Sequence, residues 1–392
     1  MMQSAETTAG KGRVVLLIGL IALSLSGLLV SRLLVDFDWN PTTTIKFGEE
    51  LPEQVAYAEG LFGEVVVSAH AGHDGKFFFS QAMDPFYLSP ETHAKFLDRP
   101  TYRAQRMLYP TIAGLGGLLG PTAVAWGLIV VNVMAMGVGT AITAKLAEAL
   151  GLSPWFGLAF LLNPGMIVSQ NIDSADIVAT AALMAAVLYA VRDRPLASSL
   201  ALTASALSRE TMILAAIGLC IYWIRVRSKF PPVLLAPFGA VAAWWIYVHW
   251  RLAGGLSQDT EALGLPFQGF LEAFRGWLET PDSLPDALIG FVLLFASIAI
   301  AVRAVRTPTA LGWAVTGFAG LALIISEPVW ARYFDSARAL APVLTAYVLL
   351  VPLGRRGDLR RDSQIESTEP TTHTASTPAR QHDSGGRDGA GD

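Results

Sequence analysis

One segment in the first third of the chain combines a carboxylate, a turn signal and a run of aromatic residues. It reads His-Asp-Gly-Lys-Phe-Phe-Phe-Ser-Gln from His73 to Gln81. An Asp-Gly pair is typical of a turn. Asp74 is also a chemical candidate, because a carboxylate can take a proton from an alcohol as a general base. The residues favour neither interpretation, and they predict that a helix begins at Gly75.

A pair of arginines follows this segment and precedes an apolar stretch. The sequence is Arg103-Ala-Gln-Arg106-Met-Leu-Tyr109-Pro110. Residues three apart share one face of a helix, and guanidinium groups bind phosphate through charge-assisted hydrogen bonds. The alternative is an interfacial anchor, in which the arginines extend towards water and Tyr109 belongs to an aromatic belt. Taken alone, the pair favours the anchor.

A third charged segment, Ser208-Arg209-Glu210-Thr211, lies between two short apolar runs. Charged side chains this close to hydrocarbon are costly and usually functional. Arg209 and Glu210 are adjacent, so they point in different directions on a helix, and we expect them to have separate partners. A plain turn between two helices is the alternative, but the shortness of both flanks favours a functional site.

Two further clusters contain both acids and bases. Asp173 and Asp176 precede an apolar run, where one of them is expected to cap the helix N-terminus while the other stays free. Arg332, Asp335 and Arg338 precede the last apolar run. They form either a surface ion pair or the wall of a site, and the ion pair is the simpler interpretation.

Two patterns suggest a metal but do not predict one. Asp36-Phe-Asp38 has spacing that suits a divalent cation, and either aspartate is an alternative base. His70, His73 and Asp74 lie within one short segment, but zinc requires three or four ligands in a supported geometry. The sequence therefore predicts no metal and no other cofactor.

The composition determines which kind of protein must position these residues. The chain has 392 residues, of which 53% are hydrophobic and 15% charged, whereas soluble domains carry about 25% charged residues. Lipid must cover much of the surface, so the first expected partner is the bilayer. The net charge of −4 gives no indication of a nucleic-acid partner. The single cysteine, Cys220, excludes a disulfide within the chain.

Apolar runs of spanning length recur along the chain, since a membrane helix needs about 20 apolar residues. The first run follows Lys11 and Arg13 and is too long for a cleaved signal peptide, so we interpret it as a retained anchor. The clear candidates are Val14–Val35, Pro121–Ala144, Ile177–Val191, Val233–Trp250, Leu288–Val302, Ala310–Ile325 and Ala339–Leu353. The short candidates are Met107–Leu119, Trp155–Val168, Leu196–Leu207 and Met212–Ile224.

The distribution of Lys and Arg in short loops predicts the orientation. The strongly basic turns all fall on one side if Met107–Leu119 is a half-helix on the outer side. This predicts about ten spans with both termini cytoplasmic, or eleven or more if Met107–Leu119 crosses. We therefore expect an all-α polytopic bundle in the plasma membrane, with the functional charges and the aromatic run of the first loop at the outer surface. Its parts are a cytoplasmic N-terminus (1–13), a membrane domain (14–353) containing a long, partly helical outer loop (36–106), and a disordered cytoplasmic tail (354–392).

The order of these features resembles a known family. A first span, a long outer loop with His73-Asp-Gly-Lys-Phe-Phe and then Arg103-x-x-Arg-x-Leu-Tyr-Pro before the next helix resemble the multi-pass glycosyltransferases of the GT-C fold class. The order is most similar to bacterial membrane proteins of cell-surface glycopolymer formation, and more distantly similar to the mannosyltransferases of GPI-anchor assembly. The resemblance covers the spans of most of the chain and is specific over 72–85 and 102–110. His73 departs from the family, which usually has an aromatic residue there, and this keeps the two aspartates after the first span as alternative bases.

The resemblance implies an inverting transfer of mannose or a similar sugar. The donor would be a polyprenyl-phosphate sugar, and the acceptor a glycan, lipid or protein on the outer side. Asp74 would deprotonate the acceptor hydroxyl, and Arg103, Arg106 and Arg209 would bind the donor phosphate. The residues expected to bind the acceptor or form the wall of the site are His73, Tyr109, Asp176, Glu210, Arg332 and Arg338.

Two other functions compete with this one. A transporter or flippase would usually show internal repeats and charges near the middle of the membrane. The sequence shows no repeat, and its charges gather on one side. A non-catalytic membrane subunit of a glycan-assembly complex is the second alternative, and the sequence does not distinguish it from an enzyme.

Overall fold

The protein is almost entirely helical, as a computed structural model that describes residues 2–93, 97–252 and 263–366 shows. In those residues the only strands are β1 (Phe47–Gly48) and β2 (Val67–Ser68), which pair in parallel. The predicted all-α class is therefore confirmed. The helices are α1 (Met2–Val35), α2 (Thr42–Ile45), α3 (Pro52–Phe62), α4 (Gly75–Met83), α5 (Pro90–His93), α6 (Pro100–Arg103), α7 (Leu108–Gly114), α8 (Pro121–Ala149), α9 (Leu158–Leu161), α10 (Pro164–Asn171), α11 (Asp176–Val191), α12 (Pro195–Ser208), α13 (Ile213–Arg225), α14 (Ala236–Arg251), α15 (Gln268–Glu279), α16 (Leu284–Arg306), α17 (Ala310–Ile324), α18 (Glu327–Trp330), α19 (Tyr333–Ala339) and α20 (Ala341–Glu366).

Four helical segments of the described residues are long and apolar enough to cross a membrane. A fifth candidate is the pair formed by α19 and the first part of α20, which is bent by 65°. Large apolar side chains on these segments point away from the protein: Leu28, Ile246 and Phe295 are 65%, 62% and 64% exposed. Such a surface would be unfavourable in water and suits lipid. The four segments are Gly12–Val35, Pro121–Ala149, Pro232–Arg251 and Leu284–Arg306.

Several predicted spans are shorter helices packed inside the bundle. Helix α11 lies against α8 and α12, and its Leu183 and Val187 are fully buried. Helices α13 and α17 approach so closely that a Cβ on Gly218 would lie 2.0 Å from the Trp313 carbonyl oxygen. Only glycine permits that packing.

The run Met107–Leu119 has the geometry of a half-helix. It consists of α7 and a 3₁₀ turn, Leu115–Leu119, and it is too short to cross a bilayer. Leu118 and Leu119 are 100% and 85% exposed at its end. The structure is compatible with the half-helix that the charge distribution predicts.

The aromatic run of the outer loop faces protein, which corrects the expectation that it lies at the membrane interface. Phe77, Phe78 and Phe79 are 6%, 2% and 1% exposed. The Phe78 ring packs edge-on against Tyr109 at 5.3 Å, and the Phe79 ring packs against Phe47 at 6.1 Å. These contacts fix α4 on the bundle, so the loop is a folded part of the membrane domain.

The end of the chain differs from the prediction. The residues up to Leu353 form one compact unit, which is where the sequence ends the membrane domain. Helix α20, however, continues to Glu366, so 354–366 are helical where a disordered tail is expected. The rest of the predicted tail, 367–392, lies outside the described residues.

Candidate functional site

Asp74 lies immediately before α4, which begins at Gly75 as predicted. A close backbone approach requires glycine at this position. A Cβ on Gly75 would lie 2.7 Å from the carbonyl oxygen of Ile45 and 2.8 Å from that of Ile172. The Asp-Gly pair therefore does more than form a turn, because the close backbone packing at Gly75 fixes the position of the neighbouring Asp74.

Two guanidinium groups hold the Asp74 carboxylate. Arg103 Nη1 donates to Oδ1 at 2.9 Å, and Arg338 Nη2 donates to Oδ2 at 2.6 Å. Burial acts to raise the pKa of Asp74, but the positive charges of Arg338 and Arg103 outweigh it and hold that pKa well below its usual range. Asp74 is therefore an anion with both oxygens already occupied.

Arg338 is the centre of the cluster, with only 6% of its side chain exposed. Besides Asp74, its Nε donates to Asp176 Oδ2 at 3.0 Å and its Nη2 donates to the Ser174 hydroxyl at 2.8 Å. Its Nη1 lies 3.5 Å from Asp335 Oδ1. Three carboxylates surround one guanidinium group, so Arg338 is a buried site residue and not part of a surface ion pair.

Asp176 is the anion that binds Arg338 and Arg209 of the cluster. It lies in the first turn of α11, where the helix dipole favours an anion. It is 1% exposed. The hydroxyl groups of Ser169 and Ser174 donate to its Oδ2. The expected aspartate N-cap is wrong: Ala175 is at the N-cap, without a side-chain hydrogen bond.

Arg106 and Glu210 form the second buried ion pair of the site. Arg106 Nε and Nη2 each donate to one Glu210 carboxylate oxygen, both at 2.8 Å. Nη2 also donates to the Tyr102 hydroxyl at 2.6 Å. As predicted, Glu210 and Arg209 have separate partners, since Arg209 turns to Asp176.

The two predicted phosphate-binding arginines do not share a helix face. Helix α6 ends at Arg103, and Arg106 lies in the segment between α6 and α7. Arg103 also pairs with Asp98, through Nε at 2.9 Å, and its guanidinium carbon lies 4.2 Å from the centre of the Phe77 ring. The two arginines nevertheless reach the same cavity.

That cavity, the larger of two at the site, has a volume of about 990 Å³. Its lining combines the charged side chains of the cluster with residues of 263–272 and 321–329, among which are several apolar side chains and also Gln268, Glu272, Ser326 and Glu327. The charged lining includes Asp74, Arg103, Arg106, Arg209, Glu210 and Arg338, and the apolar lining includes Leu263, Leu265, Leu321, Ile325 and Val329.

A smaller cavity of about 480 Å³ lies on the other side of Asp74. Its lining includes His73, Lys76 and Asp98. Burial lowers the pKa of His73, against the opposing influence of Asp335 and Asp74, so the imidazole is neutral at pH 7. Two carboxylates and two guanidinium groups line both cavities and form a wall between them, here called the shared wall: Asp74, Arg103, Asp335 and Arg338.

Five predicted site residues line neither cavity: Asp176, which binds Arg338 and Arg209 of the cluster, and Tyr109, Arg332, Asp36 and Asp38. Tyr109 is fully buried, and its hydroxyl donates to the Leu128 carbonyl oxygen and accepts from Asn132, so it packs α7 on α8. Arg332 is exposed outside the cavities. Asp36 pairs with Arg32 at the end of α1, and Asp38 is exposed beside it. Neither aspartate shares a cavity with the arginines of the cluster.

Sequence reasoning missed two contributors. Asp98 holds Arg103, and the five-residue spacing between them is the signal that could have found it. Asp335 lines both cavities, although the sequence favours a surface ion pair for it. Asp335 reaches the site because α19 contacts the start of α4 through Arg338 and Asp74. No local sequence pattern predicts that long-range contact.

In the part of the chain that the structure describes, no group of three or more His, Cys, Asp or Glu side chains is arranged to hold a metal ion. Arginines supply the positive charge of the site. No protein-family model, curated protein or solved structure matches this chain.

Proposed function

We propose that this protein transfers a sugar, mannose or similar, from a polyprenyl-phosphate donor to an acceptor on the outer side of the membrane, with inversion at the anomeric carbon. The observation that carries the proposal is the convergence of Asp74 with Arg103, Arg106 and Arg209 on one cavity. These four residues come from three separate segments of the chain, and a glycosyltransferase requires a carboxylate and phosphate-binding cations together.

The shape of the larger cavity supports a lipid-linked donor. A polyprenyl-phosphate sugar has an apolar chain, an anionic phosphate and a polar sugar in that order. The cavity lining contains apolar side chains, among them Leu265, Leu321 and Ile325, as well as a cluster of arginines. The chain would lie against the apolar side chains, and the phosphate would reach the guanidinium groups.

Arg209 is the strongest candidate phosphate ligand of the five arginines that line this cavity. Its side chain is 11% exposed, and its buried Nε has no hydrogen-bond acceptor in the described part of the chain. A buried donor without a partner is costly, and a phosphate oxygen would satisfy it. Arg103 and Arg106 are held by Asp98 and Glu210, so they add positive potential in fixed positions.

The two cavities support a reaction between two substrates. The donor would occupy the larger cavity and the acceptor the smaller one, with the shared wall between them. A carboxylate of that wall, with Asp74 as the sequence-predicted residue, takes the proton of the acceptor hydroxyl. The acceptor oxygen bonds to the anomeric carbon, the bond from that carbon to the phosphate oxygen breaks, and its electron pair stays on the phosphate.

The topology that suits this function has about ten spans with both termini in the cytoplasm of a cell whose plasma membrane contains the protein. The short helices α11, α12, α13 and α17 would cross together with the longer ones, and α7 would stay on the outer side. Helices too short to span alone are tolerated in a membrane where they are buried in protein, and these helices pack inside the bundle.

The test is a transfer assay with the full-length protein in lipid nanodiscs. The donors are synthetic farnesyl-phosphate mannose, glucose, arabinose and N-acetylglucosamine, and the acceptors are octyl mannoside, octyl glucoside and membranes from an expressing bacterium. We expect one donor to give a product of inverted configuration, and Asp74→Asn to abolish it while the variant still inserts into the membrane. Absence of transfer from every donor, combined with movement of labelled donor across vesicles, would support a flippase instead.

A further inference from the structure

Asp335 and Asp74 have different electrostatic environments although both belong to the shared wall. Asp74 accepts charge-assisted hydrogen bonds on both oxygens, at 2.9 and 2.6 Å. Asp335 has one ion pair in the described structure, with Arg338 at 3.5 Å, and 41% of its side chain is exposed. Hydrogen bonds to a carboxylate stabilise the anion and weaken it as a base.

The Asp74 carboxylate would be a poor proton acceptor in this arrangement. A proton on Oδ1 or Oδ2 would break a hydrogen bond from Arg103 or Arg338 and remove one anionic partner from a buried guanidinium group. Losing one partner of a buried ion pair is costly. The position of Asp74 is instead suited to holding the two arginines of the shared wall.

Asp335 has the access that Asp74 lacks. Its side chain borders both cavities, and its neighbours are the charged Arg338, Asp74 and Arg332 and the titratable His73. The neighbouring Asp74 anion disfavours a second negative charge and so favours proton uptake by Asp335. A hydroxyl group in the smaller cavity can reach this carboxylate without displacing an arginine from Asp74.

We infer that Asp335 is the catalytic base of the transfer and that Asp74 is a positioning residue, an inference that rests on the proposed glycosyl transfer. The acceptor hydroxyl gives its proton to an Asp335 oxygen as the acceptor oxygen bonds to the anomeric carbon. The bond from that carbon to the donor phosphate breaks, and the electron pair stays on the phosphate, which Arg209 stabilises. Asp335 later releases the proton to water through the smaller cavity.

The experiment compares Asp335→Asn, Asp335→Glu and Asp335→Ala with the wild type in nanodiscs, with farnesyl-phosphate mannose and the other synthetic donors. We expect Asp335→Asn to lose at least a hundredfold in kcat with donor KM and thermal midpoint nearly unchanged, and Asp335→Glu to recover part of the loss. The matched control is Asp282→Asn, an exposed aspartate that lines neither cavity.

Azide provides a readout that a purely structural role would not change. It is an anionic nucleophile and needs no deprotonation, so its nitrogen can bond to the anomeric carbon while the phosphate leaves. We expect azide to give Asp335→Ala a glycosyl azide of inverted configuration, and to give Arg209→Ala none. In the wild type, kcat should decrease at acidic pH because Asp335 becomes protonated. This decrease should be absent in Asp335→Asn.

The possible outcomes separate the inference from the proposed function. If the wild type transfers sugar and Asp335→Asn keeps its kcat, Asp335 is not the base, while the glycosyltransferase assignment stands. If Asp335→Asn is inactive but azide does not restore turnover to Asp335→Ala, the residue has a structural role and the inference fails. If the wild type transfers no sugar from any donor, the proposed function and the inference fall together.

Discussion

Arg338 and Asp74 are 264 positions apart in the sequence, and the arginine donates a hydrogen bond of 2.6 Å to the aspartate. This contact joins the start of α4, in the long loop after α1, to α19, just before the last helix. Because Arg338 also binds Asp176 at the N-terminus of α11, one side chain ties together three distant parts of the chain. The site is therefore assembled only when the whole bundle has folded.

Removing Arg338 is expected to destabilise the protein strongly. Arg338→Gln leaves Asp74 and Asp176 without a shared cation, and breaking a buried ion pair costs about 3–5 kcal/mol. Thermal and denaturant unfolding in detergent micelles measure this loss. Arg332→Gln is the control, because Arg332 lies six residues earlier and is exposed. Equal unfolding midpoints for the two variants would contradict the central role of Arg338.

The buried pair Arg106–Glu210 is expected to be energetically coupled. Its bidentate geometry and low exposure, 7% and 18% for the two side chains, predict a coupling free energy of about 1–3 kcal/mol in a double-mutant cycle with alanine. The exposed pair Arg32–Asp36, with side chains 69% and 53% exposed, serves as the control, with an expected coupling below about 0.5 kcal/mol. Similar coupling free energies in both cycles would show that burial does not strengthen the interaction between Arg106 and Glu210.

Arg209 is expected to act on donor binding through its geometry as well as its charge. Arg209→Lys keeps the positive charge but removes the buried Nε that has no acceptor in the described structure. A hydrogen bond to a charged group contributes about 1.5–3 kcal/mol, so the donor KM should rise roughly tenfold to a hundredfold. The KM for the acceptor should stay unchanged in the same assay. A rise in acceptor KM alone would move Arg209 to the other substrate.

The local parts of this site were predictable from the sequence, and the long-range parts were not. Asp74, Gly75 and the helix that follows form a short motif whose geometry depends on neighbouring residues. Arg338 and Asp335 acquire their roles from contacts with α4 and α11, and a pattern of apolar runs contains no information about those contacts. The aromatic run that begins at Phe77 was assigned to the membrane interface, but it lies in the protein interior. Apolar side chains are favourable in both environments, so the sequence does not distinguish them.

Asp173 is expected to make the stability depend on pH. It is fully buried in the turn between α10 and α11, and burial raises its pKa to about 7, against the smaller opposing effects of the Thr44 hydroxyl and Lys46. The unfolded chain loses this proton near pH 4, so the folded protein holds an extra proton between about pH 4 and 7. Stability should therefore fall as the pH rises through that window, by about 4 kcal/mol in total.

The substitution Asp173→Asn tests this dependence. The amide cannot ionise, so the variant should have a nearly constant thermal midpoint from pH 5 to pH 8, and should exceed the wild type at pH 8. Asp84→Asn is the contrasting control. Asp84 is also buried, but its carboxylate accepts backbone N–H groups from Leu88 at 2.8 Å and Ser89 at 2.7 Å, so its loss should destabilise at every pH. A wild-type midpoint that rises from pH 5 to pH 8 would contradict the assignment to Asp173.

The position of the site relative to the membrane can be measured with single cysteines. The chain has one cysteine, Cys220, so Cys220→Ser provides a background for Glu64→Cys in the outer loop and Lys229→Cys after α13, both at exposed positions. The charge distribution predicts Glu64 outside and Lys229 inside. A membrane-impermeant maleimide should then label Glu64→Cys in intact cells and label Lys229→Cys only after permeabilisation. The reverse pattern would place the arginine cluster on the cytoplasmic side, and labelling of both in intact cells would mean that the number of spans between them is even.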